Sequence, residues 1–154
     1  MKMQKSGTPL NDVEITQFEI QFQIELPQDY KAFMLKNNGG VPENDWAFDY
    51  VEKGYANSSI IRDFFVLYVE ETHAYDDLKK AYKMVKEDSS VSSDFMPIAT
   101  DPGGNTIFLA VGGENYGKVY FSNHELDDAE TGYMVMSLIA DSFSDFIDKC
   151  YLEE

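Results

Sequence analysis

The sequence is poor in cysteine, and the single Cys150 cannot form a disulfide within the chain. This scarcity is typical of proteins in a reducing compartment, so we expect a cytoplasmic protein. The chain also lacks an apolar run that approaches the length of a membrane span. Its first eight residues carry two lysines but no apolar segment, which argues against a secretory signal. We therefore expect no association with membranes.

Basic residues are scarce as well. Twelve lysines and arginines stand against 28 aspartates and glutamates, which gives a formal net charge of −16. About half of the acidic excess lies in residues 114–154, the last quarter of the chain. Such a field repels nucleic acid and anionic lipid and attracts basic proteins. Solubility explains the charge equally well when the charge is considered alone.

Several motifs of catalysis are missing. Gly103 and Gly104 are not followed by the Lys-Ser or Lys-Thr pair of a phosphate-binding loop, and no Gly-x-Ser-x-Gly motif is present. His124 precedes an acidic run without a second histidine nearby, which favours a solvated loop over a metal site. Cys150 falls on an apolar stripe, which favours a core residue over a nucleophile. We expect no enzymatic activity, cofactor or metal, although spacing alone leaves carboxylate pairs for acid–base chemistry open.

The strongest structural signal is a group of three consecutive strands in the middle of the chain. The first two flank the turn Asp101-Pro102-Gly103-Gly104-Asn105, in which proline fixes one backbone angle and glycine permits positive φ. A second glycine-containing turn, residues 112–117, leads into the strand Lys118-Val119-Tyr120-Phe121. The spacing of these turns predicts an antiparallel arrangement of the three strands.

The N-terminal part gives a less certain pattern. Residues 18–26 alternate between apolar and polar, which indicates a strand, yet Ile15, Phe18 and Phe22 also fit one face of a helix. Thr8-Pro9 or the capping-box pair Asn11 and Glu14 would start such a helix. A second helix is clearer. It opens at Pro27 and is expected to stop at Gly39, with an apolar stripe at Leu26, Tyr30, Phe33 and Met34.

The remaining segments are assigned from composition and capping residues. We predict a strand over Trp46–Val51, a polar loop over Glu52–Ser59 and a strand candidate over Ile60–Leu67. Thr72 is predicted to cap a helix that runs to about Lys86. A polar acidic connection spans residues 122–132, and a short strand is predicted over residues 133–139. Asp141 or Ser142 caps the last helix, whose stripe is Phe143, Phe146, Ile147 and Cys150.

Three blocks of the sequence resemble one family in the same order. They are LPQDYKAFMLKNNGG (residues 26–40), IATDPGGNTIFLAV followed by GKVYFSNHE (residues 98–111 and 117–125), and IADSFSDFID (residues 139–148). Together they resemble the SUKH superfamily of Smi/Knr-type domains. The resemblance implies a helix over about residues 9–23 with a turn near Ile24. Asp101, Gly103, Gly104 and Asn105 match the family motif and are interpreted as residues that set the fold.

The resemblance and the patterns together predict a SUKH-like α+β fold. We expect one domain over residues 1–154, with a core of about 9–151. Its sheet is expected to be mainly antiparallel, with four to six strands, and to pack against N-terminal, middle and C-terminal helices.

The same resemblance implies a protein-binding module without catalytic activity. Many such proteins are bacterial immunity proteins that neutralise a polymorphic toxin, often a nuclease or deaminase, by stoichiometric binding. A basic toxin domain is therefore the expected partner. A regulatory scaffold of the cell-wall or stress-signalling type and a small-ligand-binding domain are the alternatives. The candidate partner-binding residues are Asp45, Trp46, Asp49, Glu125, Asp127, Asp128 and Glu130.

Overall fold

The computed structural model describes residues 1–69 and 77–153. Within these ranges the chain forms four helices: α1 (Asp12–Phe22), α2 (Gln28–Lys36), α3 (Leu78–Glu87) and α4 (Phe143–Lys149). The strands of the same ranges are β1 (Met3–Lys5), β2 (Val41–Pro42), β3 (Trp46–Glu52), β4 (Tyr55–Ile60), β5 (Asp63–Phe64), β6 (Phe95–Thr100), β7 (Thr106–Ala110), β8 (Val119–Ser122), β9 (Ser137–Ala140) and β10 (Tyr151–Leu152).

The strands form three antiparallel sheets in the described part of the chain. Their orders are β1-β2, β10-β3-β4 and β5-β6-β7-β8-β9. The three predicted central strands are confirmed as β6, β7 and β8, the middle of the five-stranded sheet. The α+β class is confirmed too, since the helices pack with antiparallel sheets of which the largest has five strands.

The two faces of the five-stranded sheet meet different apolar groups. Alternate side chains of a strand point to opposite faces. Ile107, Leu109 and Phe121 belong to the main core, which extends in sequence from Leu10 to Cys150. Phe108, Ala110 and Tyr120 join a second cluster with Val91, against which Met134 and Met136 pack. The sheet is therefore buried on both sides.

Residues 18–22 belong to helix α1, as the family resemblance implied, and not to the strand that their alternation indicated. Asn11 is the N-cap and forms a full capping box with Glu14, so the alternative start at Pro9 is wrong. Phe18 and Phe22 are buried, whereas Ile20 is 71% exposed. The apparent strand alternation arises because an exposed isoleucine lies between two buried phenylalanines.

Helix α2 begins after Pro27 as predicted, and Tyr30 and Met34 lie buried on its apolar stripe. Its end differs from the prediction. The helix stops at Lys36, and Asn37 is the C-cap in an extended conformation. Gly39 does have a positive φ of 59°, but a Cβ there would lie 2.2 Å from the Phe65 carbonyl oxygen. This glycine permits a close approach of two backbones and does not stop the helix.

The largest error of the sequence analysis is the loop predicted over Glu52–Ser59. Most of this segment is strand β4, which pairs with β3 from Ala47↔Ile60 to Glu52↔Tyr55. Lys53 and Gly54 form the connecting turn, and both have positive φ, as a two-residue hairpin turn requires. The predicted strand over Ile60–Leu67 is reduced to β5, which has two residues.

The remaining predictions concern α3 and the C-terminal part. Thr72, the predicted helix cap, lies outside the described residues, and the described helix has Asp77 as its N-cap. The strand expected over residues 133–139 is shorter and begins later, at Ser137–Ala140. Ser142 caps α4 as predicted, and Phe143 and Phe146 are buried on its stripe. After Cys150 the chain forms β10, which the sequence analysis did not anticipate.

Candidate protein-binding surface

Strand β3 separates a buried face from an exposed one. Phe48 and Tyr50 turn towards the core, where their rings lie 5.3 and 4.4 Å from the ring of Phe121. Asp49 and Val51 alternate with these aromatic residues and are exposed. The regular register with β4 places Ser58 opposite Asp49 and Ala56 opposite Val51. Side chains directly opposite in an antiparallel pair share a face.

We call the exposed side of this sheet the hairpin face, defined by Asp49, Val51, Ala56, Ser58 and Tyr151. Val51 is 60% exposed and Tyr151 is 43% exposed. A shallow groove of about 630 Å³ runs along the hairpin. Exposed aromatic and aliphatic side chains next to a groove are features of protein-interaction sites.

The groove does not belong to the hairpin alone, since β9 contributes Leu138 and Ile139 to its wall. Leu138 is 49% exposed. At the tip of the hairpin, Tyr55 is 76% exposed and adds a further aromatic ring to the surroundings of the groove. The surface is therefore assembled from segments far apart in sequence.

A hydrogen bond fixes the aromatic residue of this face. The Tyr151 hydroxyl donates to the Asp49 carboxylate at 2.7 Å. This bond raises the pKa of Tyr151, because it favours the protonated phenol. Asp49 is thereby held over the face together with a ring supplied by the C-terminal strand. The pair presents an anionic group beside an exposed ring.

Two of the predicted binding residues lie at the start of β3. Asp45 is exposed, and its backbone carbonyl accepts the Glu153 amide at 2.9 Å. Trp46 is half-buried and packs against the main core. Its Nε1 atom is buried without a hydrogen-bond partner among residues 1–69 and 77–153. Much of the indole therefore serves packing, and Trp46 offers a partner less surface than its size suggests.

The four other predicted acids lie on the connection between β8 and β9. We call residues 123–132 the acidic loop. Glu125, Asp127, Asp128 and Glu130 are all exposed on it. The Asp128 carboxylate accepts the amides of Glu130 at 2.8 Å and Thr131 at 3.1 Å, which lowers its pKa. Asp128 thus holds the loop in shape, while its neighbours project into solvent.

The contacts that connect the two acidic sets run through the turn Asp101–Asn105. On one side, Asp101 accepts a hydrogen bond of 2.7 Å from the Ser59 hydroxyl of β4. On the other side, the His124 amide donates to Asn105 at 3.0 Å, and the His124 ring contacts the Gly103 carbonyl at 3.0 Å. The structure thus places Trp46 and Asp49 on opposite faces of β3, with Asp45 directly before the strand, and leaves the loop acids on a separate segment.

The single cysteine of the chain is buried. Burial raises the pKa of the Cys150 thiol to about 12, so it is a poor nucleophile at neutral pH. Within the described ranges, no three histidine, cysteine, aspartate or glutamate side chains are grouped as metal ligands would be. None of the helices of those ranges combines the length and apolarity needed to cross a bilayer.

Comparison with known proteins places this architecture in a family. The model of the SMI1 / KNR4 family (SUKH-1) matches residues 9–149. The chain belongs to this family. The match extends from the N-terminal helix to the end of α4 and includes the hairpin and the acidic loop. The resemblance inferred from three sequence blocks is therefore confirmed.

A curated relative adds a second comparison. The chain is 25% identical over 145 residues to a SPbeta prophage-derived uncharacterized protein, YokK, of Bacillus subtilis (strain 168). The alignment covers 87% of this chain and 71% of the relative.

The sequence analysis missed the apolar part of the surface. Val51, Leu138 and Tyr151 come from three strands that are distant in the chain, so no local pattern relates them. A signal for the hairpin was present in Lys53-Gly54, since glycine at the second position suits a two-residue turn. That signal would have converted the predicted loop into a strand and placed Asp49 beside Ser58.

Proposed function

We propose that the chain is an immunity protein that binds a cognate basic toxin one to one in the cytoplasm and neutralises it without catalysis. The toxin would be of the nuclease or deaminase type. Immunity proteins are common in the SUKH family, to which the chain belongs. A scaffold role has less support, because the hairpin face is a bounded patch suited to one partner.

The observation that carries the proposal is the placement of an acid, Asp49, among exposed apolar groups on the hairpin face. Asp49 and Val51 share the exposed face of β3, and Glu52 follows at the turn on the opposite face. A nuclease needs a basic surface to hold phosphates. An acidic surface with aromatic side chains can cover such a site, since opposite fields accelerate association and exposed rings contribute contact area.

The acidic loop is proposed as a second contact. Its acids lie on a segment that Asp128 and His124 hold in place, so ordering the loop on binding costs little conformational entropy. Exposed acids of this kind are expected to affect the association rate and its salt dependence more than the dissociation rate. Neutralising them should therefore have an effect distinct from that of changing the hairpin face.

The test begins with capture of a partner from the native lysate on the immobilised chain, with washes at low salt and at about 0.5 M salt. The captured protein is then expressed alone and together with the chain. We expect one basic protein at equal stoichiometry that arrests growth alone and is tolerated in the presence of the chain. A captured protein without toxicity, or many proteins at substoichiometric levels, would contradict the proposal.

Matched variants make the test specific to the surface. Asp49→Asn with Glu52→Gln removes two charges from the hairpin, and Asp12→Asn with Glu87→Gln removes two from helices α1 and α3. We expect the first pair to weaken toxin binding by about tenfold or more and the second pair to change it little. Equal loss with both pairs would show that net charge acts without a defined surface.

A further inference from the structure

Among residues 1–69 and 77–153, strand β4 has one hydrogen-bonded neighbour, since it ends the three-stranded sheet β10-β3-β4. The two-residue turn makes Glu52 and Tyr55 the first hydrogen-bonded pair of the hairpin. Hydrogen-bonded and non-hydrogen-bonded residue pairs alternate from the turn to the open end of the hairpin, where the Ile61 amide donates to the Trp46 carbonyl at 2.9 Å. It follows that Ala56 and Ser58 direct their backbone N–H and C=O groups away from β3.

In the part of the chain that the structure describes, the outer edge of β4 lacks the proline, charged side chains, bulges and shortening by which proteins block such edges. Natural edge strands are shortened, bulged, or protected by proline and charged side chains. Strand β4 has six residues, Tyr-Ala-Asn-Ser-Ser-Ile, none of them charged or proline, and its register with β3 is regular. Residues 55–58 are exposed.

Other strands at sheet edges differ from β4. Strands β5 and β10 have two residues each, and the pairing of β9 with β8 shifts register between Val119 and Tyr120. Such short or irregular strands are poor templates for a further strand. Among the described strands, β4 is therefore the best template for another chain.

The charge around this edge selects the occupant. Asp49 lies directly opposite Ser58, and Glu52 lies opposite Tyr55 at the turn. A second copy of the chain would bring another net charge of −16 to the same edge, which is unfavourable for self-pairing. An added strand would lie beyond β4, one strand away from Asp49. With lysine or arginine at alternate positions it can turn its cations to the face of Asp49, whereas Glu52 lies on the opposite face.

We propose that the free edge of β4 pairs with an extended basic strand of the partner protein, with backbone hydrogen bonds at Ala56 and Ser58. This inference rests on the proposed function, because the partner is the toxin, and it names the mode of recognition. Strand addition obtains affinity from main-chain hydrogen bonds and specificity from alternate side chains. The exposed groups of the hairpin face would meet one side of the added strand.

The test uses a synthetic ten-residue peptide of alternating valine and lysine, so it does not need the toxin. Amide hydrogen exchange of the chain is followed by NMR with and without the peptide. We expect exchange at Ala56 and Ser58 to slow by about tenfold or more, because their amides become bonded. Asn57, whose amide faces β3, should change little. Unchanged exchange at Ala56 and Ser58 would overturn the inference.

Two control peptides separate backbone pairing from charge. One carries an N-methyl group on every backbone amide, so that neither edge of the peptide can donate, and the other has glutamate in place of lysine. We expect neither to slow exchange at Ala56 or Ser58, because the first lacks the donors and the second is repelled. Equal protection by the glutamate peptide would overturn the charge selection, and equal protection by the methylated peptide would overturn strand pairing.

Variants at one position give an independent readout. Ser58→Pro removes an outward N–H, whereas Ser58→Ala keeps it and removes the hydroxyl. Peptide affinity is expected to fall by about tenfold with proline and to remain within about twofold with alanine. The exchange experiment on the unmodified chain does not depend on how well the proline variant folds. The reverse order of affinities would show that the side chain is recognised.

A second copy is the competing occupant and is detected by sedimentation of the free chain. A dimer whose Ala56 and Ser58 amides are already protected would overturn the inference, and a monomer with fast exchange supports it. Failure of the peptide to pair leaves one-to-one toxin capture as proposed. Conversely, peptide pairing combined with a captured partner that lacks toxicity would contradict the immunity function and retain the edge as a strand-binding site.

Discussion

Replacing Asp101 by alanine tests whether a buried carboxylate joins the central turn to the hairpin. Asp101 is 3% exposed. Its carboxylate accepts the Asn105 amide at 2.8 Å, the Asn105 side chain at 3.1 Å and the Ser59 hydroxyl at 2.7 Å. Two of these bonds close the turn, and the third reaches β4. The residue is thus positioned to set both the turn and the attachment of the proposed binding edge.

The magnitude follows from these three bonds. A hydrogen bond to a charged group contributes about 1.5–3 kcal/mol, which gives a gross loss of roughly 5–9 kcal/mol for Asp101→Ala. Alanine also removes the cost of burying a carboxylate, which is several kcal/mol. The net expected decrease in the free energy of unfolding is about 3 kcal/mol. The backbone bond from Gly104 to the Asp101 carbonyl, 3.1 Å long, survives the substitution and limits the loss.

The assay is urea unfolding followed by circular dichroism and by the fluorescence of Trp46. A fall in midpoint with unchanged slope is expected for a pure loss of stability. Asp128→Ala is the control, because this carboxylate also accepts two backbone amides but is exposed. We expect it to lower the free energy of unfolding far less than Asp101→Ala does, because solvent replaces its hydrogen bonds. Equal effects of the two substitutions would refute the role assigned to burial of Asp101.

A double-mutant cycle with Ser59→Ala isolates the bond to the hairpin. The two side chains contact each other directly, so their effects should not be additive. We expect a coupling energy of about 1.5 kcal/mol, the lower part of the range for a bond to a charged acceptor. Additivity within about 0.3 kcal/mol would show that the Ser59 bond contributes nothing to stability.

Three further substitutions or conditions have expected outcomes. Gly40→Ala should abolish or severely impair folding, because a Cβ at this position would lie 1.8 Å from a backbone oxygen. A Cβ at Gly54 would meet open space, so Gly54→Ala should lower the free energy of unfolding in urea by only about 1 kcal/mol. With Ellman's reagent at pH 8, Cys150 should react roughly a thousandfold more slowly in the folded chain than in urea, since burial raises its thiol pKa from 9.0 to about 12. Comparable rates would contradict that burial. Burial likewise raises the pKa of Tyr82 to about 12, so stability should be retained below about pH 10 and fall as the pH rises towards 12. Unfolding curves at several pH values test this, and Tyr82→Phe should flatten the decline.

The helices illustrate how far sequence patterns can reach. Capping residues are local, so residue type and spacing limited each start to two candidates, of which the structure has Asn11 for α1 and Ser142 for α4. The pattern in residues 18–26 left helix and strand open, and the family resemblance decided it correctly. The pattern was ambiguous because Ile20 is apolar but exposed. Single exposed apolar residues are common on protein surfaces and can imitate the alternation of a strand.

The hairpin shows where such patterns fail. Strand β4 was predicted as part of a loop because its residues are small, polar or exposed. Periodicity detects a strand when one face is buried, and the exposed residues 55–58 give no such contrast. Pairing with β3 holds β4 in place through the backbone, whose hydrogen bonds leave no trace in side-chain alternation.

The candidate surface contains features that the sequence predicts and features that it does not. The acids at positions 45, 49, 125, 127, 128 and 130 could be selected from the sequence because charge is visible there. Their arrangement could not, since β10 brings Tyr151 to Asp49 across 102 residues and β9 adds Leu138 to the same groove. Long-range pairing of short strands is set by tertiary packing, for which a single sequence gives little local signal.

The absence of pattern in β4 is itself informative. A strand that packs against a core needs apolar residues at alternate positions, and an unoccupied edge is usually protected by charge. Strand β4 satisfies neither requirement, although Asp49, Glu52 and Lys53 next to it show that charged residues occur in this hairpin. Segments whose residues do not suit their local structure are expected at functional sites. An uncharged, regular edge within a chain of net charge −16 is such a departure, and a partner strand would satisfy it.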